Sequence, residues 1–243
     1  LMHMYTDQYA WARWGDARSP LFPMTNSTRQ GSCASPVLWT VYVDPLLKRL
    51  RGLGAGCRVG GLFMGAIMYA DDLLLIAPNR AAMELMLKEC ENFAEESNIQ
   101  FSTDPDPHKS KSKLIHMIGK NKGVTKPAPL VLCGYQLPWV EHACYLGHEL
   151  HESGTLEYDS KLKRAQFITQ SLEVRETFFF ASPVEVLRAL NLYLGSHYGA
   201  VCWDLRGVGA TQYMNCYGVN VKLAWNCPRA TRTYIVQQVL ESG

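Results

Sequence analysis

The order of apolar and polar positions along the chain predicts short strands first and long helices afterwards. Residues 5–14 alternate aromatic and polar side chains, which predicts a strand. A turn over residues 15–20 leads into a second short strand, residues 21–25. After the polar loop 26–31, Leu38, Tyr42, Leu46, Leu47 and Leu50 recur at helical spacing. Ser35 suits the cap of that helix, Pro36 its first position, and the glycines at 52, 54 and 56 its end. Residues 66–77 set two apolar runs around a bare pair of aspartates, the pattern of a buried hairpin with two carboxylates at its tip. A helix follows from residue 79 or 80 to 97, with Met83, Met86, Leu87, Cys90, Phe93 and Ala94 on one face. Strands are expected over 99–103, 113–118, 127–137 and 143–149, with a Pro- and Lys-rich loop at 104–113. From about residue 156 the pattern turns helical, over 158–180, 183–198, 210–225 and 232–240. The chain thus reads as an α+β protein with a boundary near residue 155, giving regions 1–155 and 156–243.

Composition adds bounds. Of 243 residues, 47% are apolar and 19% charged, which is globular rather than disordered. Twenty-four Lys and Arg against 22 Asp and Glu exclude a strongly basic architectural nucleic-acid binder, but not a nucleic-acid enzyme with a local basic groove. No apolar run reaches the roughly 18–20 residues of a spanning helix, and no leader pattern opens the chain. A protein that is neither membrane-bound nor secreted is expected. The eight cysteines form no C-x-x-C pair and read as reduced and mostly structural. His142 and Cys144, with Cys133, His148 and His151 nearby, lack the tight paired spacing of a zinc site.

Three groups of residues carry chemistry. Asp71 and Asp72 are adjacent carboxylates between apolar strands, where each raises the other's cost of ionisation. A divalent cation relieves that cost, and Mg²⁺ takes hard oxygen ligands while keeping sites for water and phosphate. The same pair also suits an ordinary solvated turn. Arg29, Gln30 and Gly31 lie in a loop before a capped helix, where Arg can reach a phosphate and Gly admits a ligand to the backbone. Lys109, Lys111 and Lys113 alternate with serines and offer point charges to phosphates, or a proton to a leaving pyrophosphate. Such a loop is equally a solubilising one. Arg164, Arg175 and Arg188 on the later helices could face phosphates, although exposed arginines are ordinary.

Asn26-Ser-Thr-Arg-Gln-Gly31 with Ser35-Pro36, then Tyr69-Ala-Asp-Asp72, Lys109-Ser-Lys-Ser-Lys113 and Tyr145-Leu-Gly147, in this order, resemble the motifs of non-LTR (LINE-type) retrotransposon reverse transcriptases. The resemblance covers residues 1 to about 150 and, more loosely, the helical remainder. It implies a partial right-hand polymerase palm, an antiparallel sheet with packed helices, over 1–155 and a helical thumb-like region over 156–243. The implied activity is RNA-directed DNA polymerisation: two-metal nucleotidyl transfer from a dNTP to a DNA primer 3′-OH on an RNA template. Asp71 and Asp72 would be the catalytic metal ligands for Mg²⁺, and Lys111 the motif lysine, with Lys109 its rival. Arg29, Gln30, Gly31, Tyr69 and Ala70 would contact nucleotide and template. Tyr145, Leu146 and Gly147 would form the strand that grips the primer end. Work in the nucleus or cytoplasm follows from the same resemblance.

One departure changes the expected activity. The family's palm begins with a further strand that carries an essential aspartate, and nothing in residues 1–25 fits it: Asp7 and Asp16 lie in the wrong contexts. The chain therefore reads as a fragment lacking that strand and the fingers, with an incomplete metal site. On its own it is expected to have little or no polymerase activity. The alternative is a non-catalytic nucleic-acid-binding relic of a truncated element.

Overall fold

In the computed structural model, the residues described are 7–24, 31–106, 108–118, 126–194, 200–228, 230–232 and 234. They form a mixed α+β chain, with five α-helices and small two-stranded sheets among them. Two compact units result: one of residues 1–105 and 130–136, the other of 106–129 and 137–243.

The first unit opens with nested ladders. Strand β1 (Tyr9–Ala10) pairs antiparallel with β4 (Phe22–Pro23), and β2 (Arg13–Trp14) pairs with β3 (Ala17–Arg18). The predicted single strand over 5–14 is thus broken. Its part at 5 and 6, like residue 25, lies outside the described residues. The break falls where the Ser19 hydroxyl accepts the Ala12 N–H at 2.8 Å, replacing a ladder bond. Helix α1 (Ser35–Gly52) has Pro36 in its first turn. Ala34, not Ser35, is its cap residue, without a side-chain cap bond, and Ser35 is buried. The buried face is Val43, Leu46 and Leu50. Tyr42 is exposed instead, and its hydroxyl donates to the Ser97 carbonyl.

A small hairpin, β5 (Arg58–Val59) and β6 (Leu62–Phe63), precedes the hairpin of β7 (Ala66–Tyr69) and β8 (Asp72–Leu75). Helix α2 (Arg80–Ser97) starts as the pattern predicts: the Asn79 side chain accepts the Ala82 N–H at 2.9 Å. Met86, Leu87, Cys90, Phe93 and Ala94 are its buried face. The predicted strand 99–103 is absent. Asn98 turns the chain left-handed at the helix end, and the Thr103 N–H finds only the nearby Phe101 carbonyl. The predicted strand 127–137 is instead a tight hairpin, β10 (Val131–Leu132) with β11 (Tyr135–Gln136), because Cys133 and Gly134 both take positive φ.

In the second unit, β9 (Leu114–Ile115) pairs parallel with β12 (Trp139–Val140). Strands β13 (His142–Tyr145) and β14 (His148–His151) form a four-residue hairpin. Helices α3 (Glu157–Thr177), α4 (Pro183–Leu194) and α5 (Val208–Ala224) follow. Ser182 and Glu185 cap α4 reciprocally: the Ser182 N–H donates to the Glu185 carboxylate (2.8 Å) and the Glu185 N–H to the Ser182 hydroxyl (3.3 Å). Phe167, Val174, Val186, Leu187, Leu190, Trp203, Ala210, Tyr213 and Val221 make the helical core. The predicted extension of the second helix over 195–198, and most of the one predicted over 232–240, lie outside the described residues.

The cysteines are free, but only Cys90 is buried, with its thiol pushed up to about 12 by burial. Cys33, Cys133, Cys144 and Cys202 are exposed, and Cys57, Cys216 and Cys227 are half-buried. No helix among the described residues is long and apolar enough to cross a membrane.

Candidate active site

The β7–β8 hairpin pairs Ala66 with Leu75, Ile67 with Leu74, Met68 with Leu73 and Tyr69 with Asp72. Its two-residue turn is Ala70-Asp71. Apolar residues fill both strands, yet they are half-buried rather than buried as predicted, because the sheet has only two strands. Tyr69 is 66% exposed. Ala70 stands at φ +51°, a left-handed conformation that strains a residue with a Cβ. The strain is offset by a contact that the hydrophobic pattern does not reveal: the Trp39 indole N–H, from α1, donates to the Ala70 carbonyl at 2.7 Å. Trp39 thereby ties α1 to the tip of the carboxylate hairpin.

Asp71 and Asp72 are both exposed, and no described residue engages either carboxylate with a hydrogen bond or ion pair. Among the described residues, no three His, Cys, Asp or Glu side chains are placed to hold a metal ion. The pair therefore does not form a closed cage. It does fit Mg²⁺ bound in the open manner that this ion prefers, through one or two carboxylates with water and substrate phosphate oxygens completing the shell. Of the other predicted nucleotide contacts, Arg29 and Gln30 lie outside the described residues. Gly31 is exposed at φ +83°, four residues before α1 begins.

The remaining predicted site residues belong to the second unit. Lys111 is exposed in the loop before β9 and meets no acidic partner among the described residues. Lys109 lies 3.9 Å from Asp106. Ser110, between them, is buried, and its hydroxyl donates to the Ser112 carbonyl at 2.9 Å, shaping the loop. Tyr145-Leu146-Gly147 is not the interior of one strand, as the pattern over 143–149 predicts. Tyr145 ends β13 and Leu146-Gly147 is the turn into β14, with φ of +49° and +75°. Two positive φ values are what a two-residue hairpin turn of type I′ demands, and Gly147 supplies one without strain.

Around that hairpin sits a polar cluster. His142 Nδ1 lies 3.1 Å from Glu149 Oε2, and Tyr158 packs on the rings of both His142 and His151. Asp159, the third residue of α3, is only 1% exposed. Its Oδ1 accepts the Glu149 N–H at 3.0 Å, and its Oδ2 accepts from Trp203 Nε1 at 3.0 Å and faces His148 Nδ1 at 3.2 Å and Lys163 Nζ at 3.3 Å. Burial by itself would raise the carboxyl pKa. The Glu149 amide, Trp203 indole, His148 ring and Lys163 ammonium outweigh it and hold the pKa below the ordinary value. Arg164, one of the candidate phosphate-facing arginines, is engaged with Gln212 of α5.

The sequence pattern of the reverse transcriptase (RNA-dependent DNA polymerase) family matches residues 5–150, and the chain belongs to that family. Its relatives are retrotransposon proteins. It is 30% identical over 172 residues to a 115 kDa protein in the type-1 retrotransposable element R1DM of Drosophila melanogaster, covering 69% of this chain and 14% of that protein. It is 27% identical over 134 residues to the retrovirus-related Pol polyprotein from type-1 retrotransposable element R2 of Nasonia vitripennis, covering 53% of this chain and 13% of the relative. It is 29% identical over 83 residues to the corresponding polyprotein of type-2 element R2DM of D. melanogaster, covering 34% and 8%. The resemblance to non-LTR retrotransposon reverse transcriptases thus holds, and the chain spans about a seventh or less of these relatives.

Proposed function

We propose that this chain is part of the palm and thumb of an RNA-directed DNA polymerase, with palm residues over 1–155 and a thumb-like helical region over 156–243. It would extend a DNA primer on an RNA template, working in the nucleus or cytoplasm. The observation that carries this reading is the pair of exposed, unengaged carboxylates on the β7–β8 tip, inside the segment that matches the family. In the reaction, the primer 3′-hydroxyl gives up its proton to solvent, its oxygen bonds the α-phosphorus of the dNTP, and the bond from that phosphorus to the bridging oxygen of the β-phosphate breaks, so that pyrophosphate leaves. Bound Mg²⁺ supplies charge neutralisation for the phosphates and lowers the pKa of the attacking hydroxyl.

The chain's own residues then act by position. Asp71 and Asp72 would hold the metal. Tyr69 and Ala70 lie against primer and nucleotide, and Arg29, Gln30 and Gly31 bind nucleotide and template base. Lys111, free of the acidic neighbour that Lys109 has, gives a proton or charge to the departing pyrophosphate. Tyr145, Leu146 and Gly147 hold the primer end. Two carboxylates are an incomplete set for a two-metal site, so the 243 residues alone carry out little templated synthesis.

Mn²⁺ titrated into the chain and followed by electron paramagnetic resonance should bind weakly. It should lose at least about tenfold in affinity with Asp71→Asn, since a charged ligand is removed. Unchanged binding in both Asp71→Asn and Asp72→Asn sinks the metal reading. Robust dNTP incorporation by the purified chain sinks the inactivity. The exposed lysine loop favours a second reading, binding without catalysis. That reading gains if RNA binding falls steeply with salt and needs no divalent ion.

A further inference from the structure

The carboxylate of Asp159 has a partner for each of its lone-pair sites. An ionised carboxylate has about four lone-pair sites, and this one, fully buried, faces four donors within 3.3 Å. For stability alone, apolar packing would serve as well, because a buried ion pair seldom repays its desolvation. What such a network provides beyond packing is fixed geometry, and here the origin of the donors is informative. Two of them, the Glu149 N–H and the His148 ring, belong to the first two residues of β14, directly after the Leu146-Gly147 turn. His148 is the cross-strand partner of Tyr145. The other two, Lys163 and Trp203, belong to the helical side, and Trp203 stacks edge-on against Tyr213 of α5 at 5.1 Å.

We propose that Asp159 is a positioning residue for the Tyr145–Gly147 turn, fixing it to the α3–α5 helical body so that the primer strand is registered against that body. This rests on the reading of the turn as the primer contact. One side chain from α3 grips the strand leaving the turn through its backbone and through a side chain at once, so the hairpin cannot slide or tilt without breaking both bonds. Placement of a primer end tolerates little error, since about 1 Å of displacement costs on the order of a hundredfold in rate.

The test is Asp159→Asn in the full chain. An amide has one oxygen, and the three side-chain donors claim it, which turns the NH₂ toward the Glu149 N–H and breaks that bond. Amide exchange over 143–150 is measured alongside that of α3–α5, and binding of a labelled DNA-primer/RNA-template duplex is followed by anisotropy. The expected result is exchange at Glu149 accelerated about tenfold or more, duplex affinity lowered about tenfold, and α3–α5 protection retained. Unchanged exchange at 143–150 overturns the positioning role. Loosened exchange with unchanged duplex affinity leaves Asp159 as the anchor but overturns the primer reading of the turn, and with it this registration role. Should the variant lose α3–α5 protection as well, His148→Phe decides the matter. It removes a hairpin-side donor and leaves Lys163 to neutralise the carboxylate. The same selective loosening supports the proposal and its absence overturns it. Trp203→Phe, which removes only a helical-side donor, should lower the melting temperature without moving exchange at Glu149.

Discussion

At the scale of single residues, the two most informative contacts are made by side chains that the hydrophobic pattern leaves unremarked. Trp39 reads as one more large residue on α1, and its indole bond to the Ala70 carbonyl depends on a partner 31 positions away. Trp39→Phe keeps most of the ring and removes the donor. It should cost about 1 kcal/mol of stability and weaken Mn²⁺ binding at Asp71 and Asp72, because the strained Ala70 then relaxes. A melting curve and a Mn²⁺ titration check this, and equal Mn²⁺ affinity in the two proteins rules it out. Asp71 and Asp72, by contrast, stand out in the sequence as a bare acidic pair between apolar runs, and the structure leaves both carboxylates exposed and without a partner among the described residues, an arrangement that a solvated turn shares with an open cation site. Asp159 shows half of its role in sequence, since Lys163 four residues on is an ordinary helical ion pair. The Trp203 and Glu149 donors are tertiary and leave no trace in the spacing.

Elements follow the sequence where a long period and a cap agree. Helix α2 starts and ends where Asn79 and Ser97 predict, and α4 begins at Pro183 behind a capping box. The strands are less legible, because a run of apolar residues does not tell one strand from a hairpin folded at its middle. Cys133-Gly134 and Leu146-Gly147 each fold such a run with one non-glycine residue at positive φ, and only the glycine of each pair is a visible cue. Helix packing carries its own test. Gly209 of α5 lies so close to buried Ser160 of α3 that any Cβ there would collide with the serine hydroxyl, which is already donating to the Glu157 carbonyl at 2.9 Å. Gly209→Ala should therefore destabilise the helical unit by about 1–3 kcal/mol, despite alanine's better helix propensity. Chemical denaturation measures it, and a stabilised variant would contradict the close approach.

For the molecule as a whole, the buried carboxylate makes stability depend on acid. The Asp159 pKa is lower folded than unfolded, so its contribution is complete above the ordinary carboxyl value of about 3.9. It is lost as pH falls through the folded value. Melting temperatures between pH 6 and pH 3 should drop more steeply for the natural chain than for Asp159→Asn, and parallel curves would exclude this linkage. The exposed pair Arg49 and Glu96, at 2.6 Å, is too solvated to shape that profile. The same carboxylate also sets an order on biosynthesis. Its Trp203 donor lies 44 residues further along the chain. A ribosome adding about 5–20 residues per second therefore makes the Tyr145 hairpin and α3 seconds before it makes the side chain that completes their anchor. Until then the nascent chain holds a carboxylate short of one partner, which keeps water at a place that the finished protein seals.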